Sequence, residues 1–152
     1  MEIHQTETTV PPPKLTLHHI NVTTHDTTGL RDWYQEVLGL AHETSVTQHR
    51  VMDEDALYTG GVEVVTDDAV QIHVAETDPE LAFRAGHQVN PLLTGHIAFR
   101  TDDIAAFKRH LEAQGIPYSD YGQSFSGAWH HLFFYDPTGR VIEVQQTNDE
   151  AF

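Results

Sequence analysis

Thr94-Gly95-His96-Ile97-Ala98-Phe99-Arg100-Thr101-Asp102-Asp103 decides how this chain folds. Strict alternation puts His96, Ala98 and Arg100 on one face of a strand and Ile97 and Phe99 on the other, the period of a half-buried strand. Asp102 or Asp103 then supplies an N-cap, and Ile104, Phe107, Lys108 and Leu111 continue at helical spacing to a stop at Gly115. The unit is strand, cap, helix, with a histidine on the strand face turned away from the helix.

The same unit occurs earlier. Leu17-His18-His19-Ile20-Asn21-Val22 leads into Thr24, His25 and Asp26, then into Leu30 to Leu38 and a stop at Gly39. His19 and Ile20 match His96 and Ile97 at one offset, and Gly39 matches Gly115 within a residue, so the chain carries two copies of one supersecondary unit.

With 152 residues, 39% of them hydrophobic, two such copies fit inside one domain better than as two independent ones. Residues 1–14 are polar, Thr-rich and end in Pro11-Pro12-Pro13, which reads as an extended tail. The domain is expected over 15–148, with module one at 15–76, a linker at 77–93 and module two at 94–148.

The formal charge of −15, from 23 acidic against 8 basic residues, argues against nucleic acid or an anionic membrane as partner. Few lysines and abundant Thr suit a high-salt cytoplasm as well as an ordinary acidic protein. With no cysteine, a thiolate nucleophile, a disulfide and a Cys-bound zinc are excluded. No apolar run approaches the roughly 20 residues of a membrane span, and the expected location is the cytoplasm.

Within module one, Leu15 to Val22 reads as a strand with Leu17, His19 and Asn21 on one face and His18, Ile20 and Val22 on the other. A helix follows over Thr27 to Leu38. Strands are expected over 41–51 and 56–65, the latter interrupted by Gly60-Gly61, and over 69–75 after the Asp67-Asp68 turn. In the last of these Ile72 and Val74 face the core and His73 the opposite side. Residues 77–93 hold one short helical turn at 79–84. In module two the Asp103 to Gln114 helix precedes a Gly/Ser-rich loop over 121–127, a β-prone run over 128–135, a turn at Asp136-Pro137-Thr138-Gly139 and a last strand over 140–145. Each copy is a strand and helix followed by about three strands.

His19, His73, His96 and Glu143 share one feature: a polar side chain in a strand whose neighbours are aliphatic and face the other way. One candidate sits in the first strand and one in the last strand of each copy. Related by a pseudo-twofold axis, the four come together around one point. His and Glu without Cys suit Fe, Mn, Ni, Co or Zn with positions left for substrate.

The chain resembles the vicinal oxygen chelate superfamily, which includes glyoxalase, methylmalonyl-CoA epimerase, fosfomycin-resistance enzymes, bleomycin-resistance proteins and extradiol dioxygenases. The resemblance covers about residues 15–146. It is carried by Leu17-His18-His19-Ile20, by Trp33-Tyr34 through Val37-Leu38-Gly39-Leu40, by Gly95-His96-Ile97-Ala98-Phe99, and by Phe134-Tyr135-Asp136-Pro137-Thr138-Gly139 leading into Ile142-Glu143-Val144. It implies an α+β fold of two paired βαβββ modules around a divalent metal, with His19, His96 and Glu143 as ligands and His73 at a position that relatives fill with Glu or Gln.

The resemblance also implies a homodimer and a small-molecule substrate whose two oxygens chelate the metal. If His73 ligates, the site is like that of the lyase and isomerase branch, with Glu143 or a metal-bound water carrying a proton. If it does not, His19, His96 and Glu143 resemble the Fe(II) triad of the dioxygenases, with His130 as the acid-base group. In that reading His131 faces the other side of its strand. The third possibility is a metal-free binding protein like the bleomycin-resistance proteins. Trp129, Phe133, Tyr118 and Tyr121 suit an aromatic or small oxygenated substrate, and Arg84, Arg100 and Lys108 match no glutathione site.

Overall fold

A computed structural model describes residues 11–148, so most of the expected tail lies outside the described residues. Eight strands form one mixed sheet: β1 (Thr16–Thr24), β2 (Ala41–His42), β3 (Val62–Thr66), β4 (Gln71–Glu76), β5 (His96–Arg100), β6 (Ser119–Gly122), β7 (Trp129–Tyr135) and β8 (Val141–Thr147). The helices are α1 (Thr27–Leu38), α2 (Leu81–Ala85) and α3 (Ile104–Ala113). Spatial order is β2-β3-β4-β1-β5-β8-β7-β6, so each copy contributes one half of the sheet and the halves are related by reversal. β1 and β5 pair antiparallel at the centre and β4 joins β1 and β8 joins β5 in parallel, while α1 and α3 carry the chain out to the edge strands β2 and β6.

Caps set both long helices. Asp26 accepts from Gly29 N–H at 3.0 Å and Asp103 from Ala106 N–H at 2.9 Å, each covering an otherwise orphaned first-turn donor. α3 buries Ile104, Phe107 and Leu111 against Leu132 and Val144 on the outer face of the sheet. α1 has no buried residue and leaves Trp33 and Val37 at least half exposed. A second core lies on the inner face, where Tyr58, Ala75, Leu81, Leu92, Tyr121 and Phe133 pack together.

Three expectations change. The strand expected over 41–51 ends at His42, because Glu43 Oε1 accepts from both the N–H and the hydroxyl of Ser45 and a 3-10 turn follows at Val46–His49. The strand expected over 56–65 begins only at Val62, Tyr58 being buried in the preceding loop, where its hydroxyl donates to the Glu76 carbonyl at 2.7 Å. A further strand, β6, forms where module two was expected to enter its loop.

A β-bulge reshapes β1. Leu17 opposes Phe99 and His19 opposes Ala98, which leaves His18 as the extra residue. The expected alternation is therefore broken at one point: Leu17 moves to the outer face, 42% exposed, and His18 joins His19 on the inner one.

Candidate metal centre

The register builds the site. Ala98 of β5 lies between His19 of β1 and Glu143 of β8, its partners on either side. Its side chain is a single methyl, so His19 Nε2 reaches across it to within 3.0 Å of Glu143 Oε2. His96, one inward-facing position earlier in β5, brings its Nε2 to 3.4 Å from the same oxygen. Gly95 sets the entry to β5 with φ 89°, and a Cβ there would come within 2.2 Å of the Asn21 carbonyl oxygen. All three side chains are buried: His19 is 2% exposed, His96 9% and Glu143 2%.

The donor and acceptor roles of this trio show that it fits a cation. His96 Nδ1 lies 2.8 Å from the Pro91 carbonyl, which only accepts, so Nδ1 carries a proton and Nε2 is the ring nitrogen left for a cation. Glu143 Oε2 forms no hydrogen bond, although His19 Nε2 lies 3.0 Å and His96 Nε2 3.4 Å from it. The three ligand atoms lie within 4.8 Å of one another, close enough to share one cation. Contacts of 3.0 and 3.4 Å between ligand atoms are what a cation with bonds of roughly 2.1 Å would enforce. Burial pushes the Glu143 carboxyl upward, but the neighbouring His19 and the Nδ1–H of His131 outweigh it and hold the group ionised, well below the usual carboxylate range. Burial lowers His19, which keeps that ligand neutral.

His73 stands at the edge of the trio. Its ring stacks on His19 with centroids 3.6 Å apart, and its Nε2 meets Gln71 Oε1 at 2.8 Å. It forms a second close group with His18 and His19 rather than with His96 and Glu143. His18, brought inward by the bulge, places Nδ1 2.8 Å from His19 Nδ1. One of these nitrogens donates to the other, and a His19 whose Nε2 lone pair faces a cation must carry its proton on Nδ1, with His18 accepting. Burial, then the neighbouring His19 and Arg100, bring His18 down to about 3.

The two β7 histidines face opposite to expectation. His130 lies on the outer side, with Nε2 2.7 Å from Asp120 Oδ1 in a cluster with Lys108. His131 is buried, lines the cavity and donates from Nδ1 to Glu143 Oε1. The reason is the hairpin register: Phe133 pairs with Glu143, so His131 and Trp129 share the Glu143 face. Counting that pairing back from the Asp136 turn would have found His131 in the sequence.

The trio sits in a cavity of about 100 Å³ with Tyr58, Phe125, Trp129 and Phe133 among its walls. Of the four expected substrate-facing aromatics, Trp129 and Phe133 line it. Tyr121 packs behind, donating to the Val89 carbonyl at 2.7 Å, and Tyr118 donates to Glu112 on the surface. Among the described residues no helix is long and apolar enough to cross a membrane.

Two βαβββ halves joined through their first strands, with a buried His-His-Glu set on the inner face of the shared sheet, define a protein of the vicinal oxygen chelate type. The family model of the Glyoxalase/Bleomycin resistance protein/Dioxygenase superfamily matches residues 16–144, and the chain belongs to that superfamily. No curated protein matches it.

Its fold is similar to that of methylmalonyl-CoA epimerase from Mycobacterium tuberculosis, with TM-score 0.62 and 19% identity over 88% of this chain and 89% of the other. It is also similar to a hypothetical protein from Bacillus halodurans, with TM-score 0.64 and 13% identity over 89% and 96%. The Streptomyces coelicolor methylmalonyl-CoA epimerase in complex with 2-nitronate-propionyl-CoA gives TM-score 0.58 and 19% identity over 88% and 99%. At such identities the likeness is one of fold.

Proposed function

We propose that this chain is a metal-dependent isomerase or lyase whose small substrate presents two neighbouring oxygens to a divalent cation held by His19, His96 and Glu143. The observation that carries this reading is the convergence of three buried ligand atoms within 4.8 Å of one another, with His96 Nδ1 engaged by the Pro91 carbonyl and Glu143 Oε2 without a hydrogen bond. The set suits Fe, Mn, Ni, Co or Zn. Such a cation, when bound, supplies Lewis-acid stabilisation of negative charge that builds on the substrate oxygens as an adjacent carbon loses its proton.

The chain's own residues supply the rest. His131 holds Glu143 Oε1 through its Nδ1–H, which leaves Oε2 turned to the centre. Its Nε2 is buried and without a hydrogen-bond partner, and His131 is among the residues that line the cavity, so with Nδ1 donating to Glu143 the second ring nitrogen is uncommitted. In this reading His131 Nε2 takes the proton from the substrate carbon and returns it to a neighbouring atom on the same face. Phe125, Trp129 and Phe133 keep water from the anionic species. His73 orients His19 by stacking, and Glu143 acts as ligand rather than as proton carrier.

A second reading has one observation in its favour. His73 Nε2 is engaged by Gln71, which leaves a set of two histidines and one carboxylate like that of Fe(II) oxygenases. Metal analysis of protein purified anaerobically from its own cells, beside His96→Ala, separates the two. Nickel, cobalt, zinc or manganese near stoichiometry, with deuterium wash-in beside the carbonyl of 2-methyl-3-oxo acids in D2O, supports the isomerase. Iron, with oxygen uptake on catechols, supports the dioxygenase, and no metal in either protein refutes both.

We further propose a homodimer and a cytoplasmic enzyme. Leu17, Ile20, Trp33 and Val37 stay 42, 41, 50 and 59% exposed on β1 and α1, apolar side chains that a second copy would cover. Light scattering behind size exclusion is expected to give twice the 17.1 kDa chain mass; a monomer refutes this.

A further inference from the structure

Arg50 also lines the cavity, and its charge has no matching carboxylate. The chain has 23 acidic residues and 8 basic ones, so a cation here has acidic groups in excess to choose from. Arg31 takes two, Asp32 and Glu63, Arg84 takes Asp78 and Lys108 takes Asp120. Arg50 takes none. Its polar contact is from Nη2 to the Gly60 carbonyl at 2.8 Å, and its guanidinium lies 5.5 Å from the centre of the Tyr58 ring. Among the described residues, no carboxylate forms an ion pair with it. Burial pushes its guanidinium down from the ordinary value, as expected for a cation in need of a counter-charge.

The position is fixed in advance. Arg50 bridges to Ser126, Val51 N–H donates to the Phe125 carbonyl and Gly127 N–H to the His49 carbonyl, both at 3.0 Å. These bonds tie the loop of one half of the domain to that of the other and hold the guanidinium at the cavity wall. Arg50 is the one Lys or Arg in that wall among the described residues. A planar guanidinium with one edge committed to a carbonyl still offers donors matched to the two oxygens of a carboxylate.

We propose that the substrate is a small organic acid, and that Arg50 binds a carboxylate on it distinct from the two oxygens that reach the metal centre. The proposal rests on the cavity being the substrate site. A divalent cation, Glu143 and Arg50 together leave two positive charges in a largely apolar cavity, and an anionic substrate neutralises part of them. A volume of about 100 Å³ suits a molecule of a few carbons or one ring.

The test is calorimetric titration of zinc-loaded and metal-free protein with 3,4-dihydroxybenzoate and with its methyl ester. The two share their pair of vicinal oxygens and differ in the carboxylate. The acid is expected to bind the zinc-loaded protein roughly tenfold or more tightly than the ester, the value of a charge-assisted contact. Arg50→Gln should bring the ratio near one and leave the ester's affinity unchanged, and Arg50→Lys should keep part of the preference. Equal binding of acid and ester to the unmodified protein overturns the proposal, as does a preference that survives Arg50→Gln or no binding of the acid at all. An Arg50-dependent preference that is the same without zinc upholds the anion site and removes the metal-chelation reading. Zinc-dependent binding that ignores the carboxylate does the reverse.

Discussion

Replacing Glu143 by Gln isolates what the carboxylate does for the metal from what it does for the fold. The amide keeps the shape: its oxygen accepts from His131 Nδ1 as the carboxylate does, and its NH2 group takes the place of Oε2 facing Nε2 of His96, 3.4 Å away. The variant also removes an ionised group that is 2% exposed. Metal-free E143Q is therefore expected within about 1 kcal/mol of the unmodified protein. Metal binding is another matter, because the NH2 group cannot ligate. At a metal concentration of 100 times its Kd, the unmodified protein should gain about 2.7 kcal/mol. For a chain of this size that raises Tm by roughly 5 to 11 °C. Thermal denaturation of both proteins with and without zinc or nickel measures this, with His130→Ala as a control that should keep the full gain. E143Q should gain less than about 1 °C, and a gain equal to that of the unmodified protein would refute the ligand assignment.

Three further outcomes follow from the same geometry. Ala98→Val places two methyl groups in the gap where His19 meets Glu143; overpacking should cost about 1 to 3 kcal/mol by denaturant titration and abolish the metal-induced rise in Tm, and retention of that rise would show that the gap has slack. His18→Leu removes the acceptor for His19 Nδ1–H and should weaken zinc binding by about 10- to 100-fold in competition with a chelator, so unchanged affinity would rule out a role in orienting His19. Acid should destabilise the metal-free protein, because His18, lowered to about 3, and His19 and His73, also lowered, stay neutral when folded but protonate near 6.5 when unfolded. The unfolded chain then binds more protons, so stability present above pH 6.5 is lost as pH falls toward 3, by at most about 1.4 kcal/mol per pH unit for each imidazole. A Tm that stays flat from pH 7.5 to 5 would count against it.

Much of the fold was readable in the chain because its signals are local. Asp26 and Asp103 cap helices that end near Gly39 and Gly115, and alternation around Ile20, Ile72, Ile97 and Ile142 marks which neighbours face the opposite way. The repeat of that pattern placed His19, His96 and Glu143 on one side of one sheet. Local signals misled where side chains competed with the backbone, as at Glu43 and Ser45, and where a strand carried an extra residue, as at His18. They also misassigned the β7 histidines, whose facing depends on a cross-strand register.

The sequence by itself thus determined the duplicated strand-helix plan, the absence of thiol chemistry and three polar residues on a shared face, since each follows from residue type and spacing along the chain. Only the tertiary structure decided that Ala98 leaves room for His19 to reach Glu143, that His73 turns to Gln71, and that His131 rather than His130 meets the carboxylate. It alone put Arg50 into the cavity wall without a carboxylate of its own. These facts depend on which strands adjoin and in what register, and on distances across the sheet that no spacing along the chain encodes.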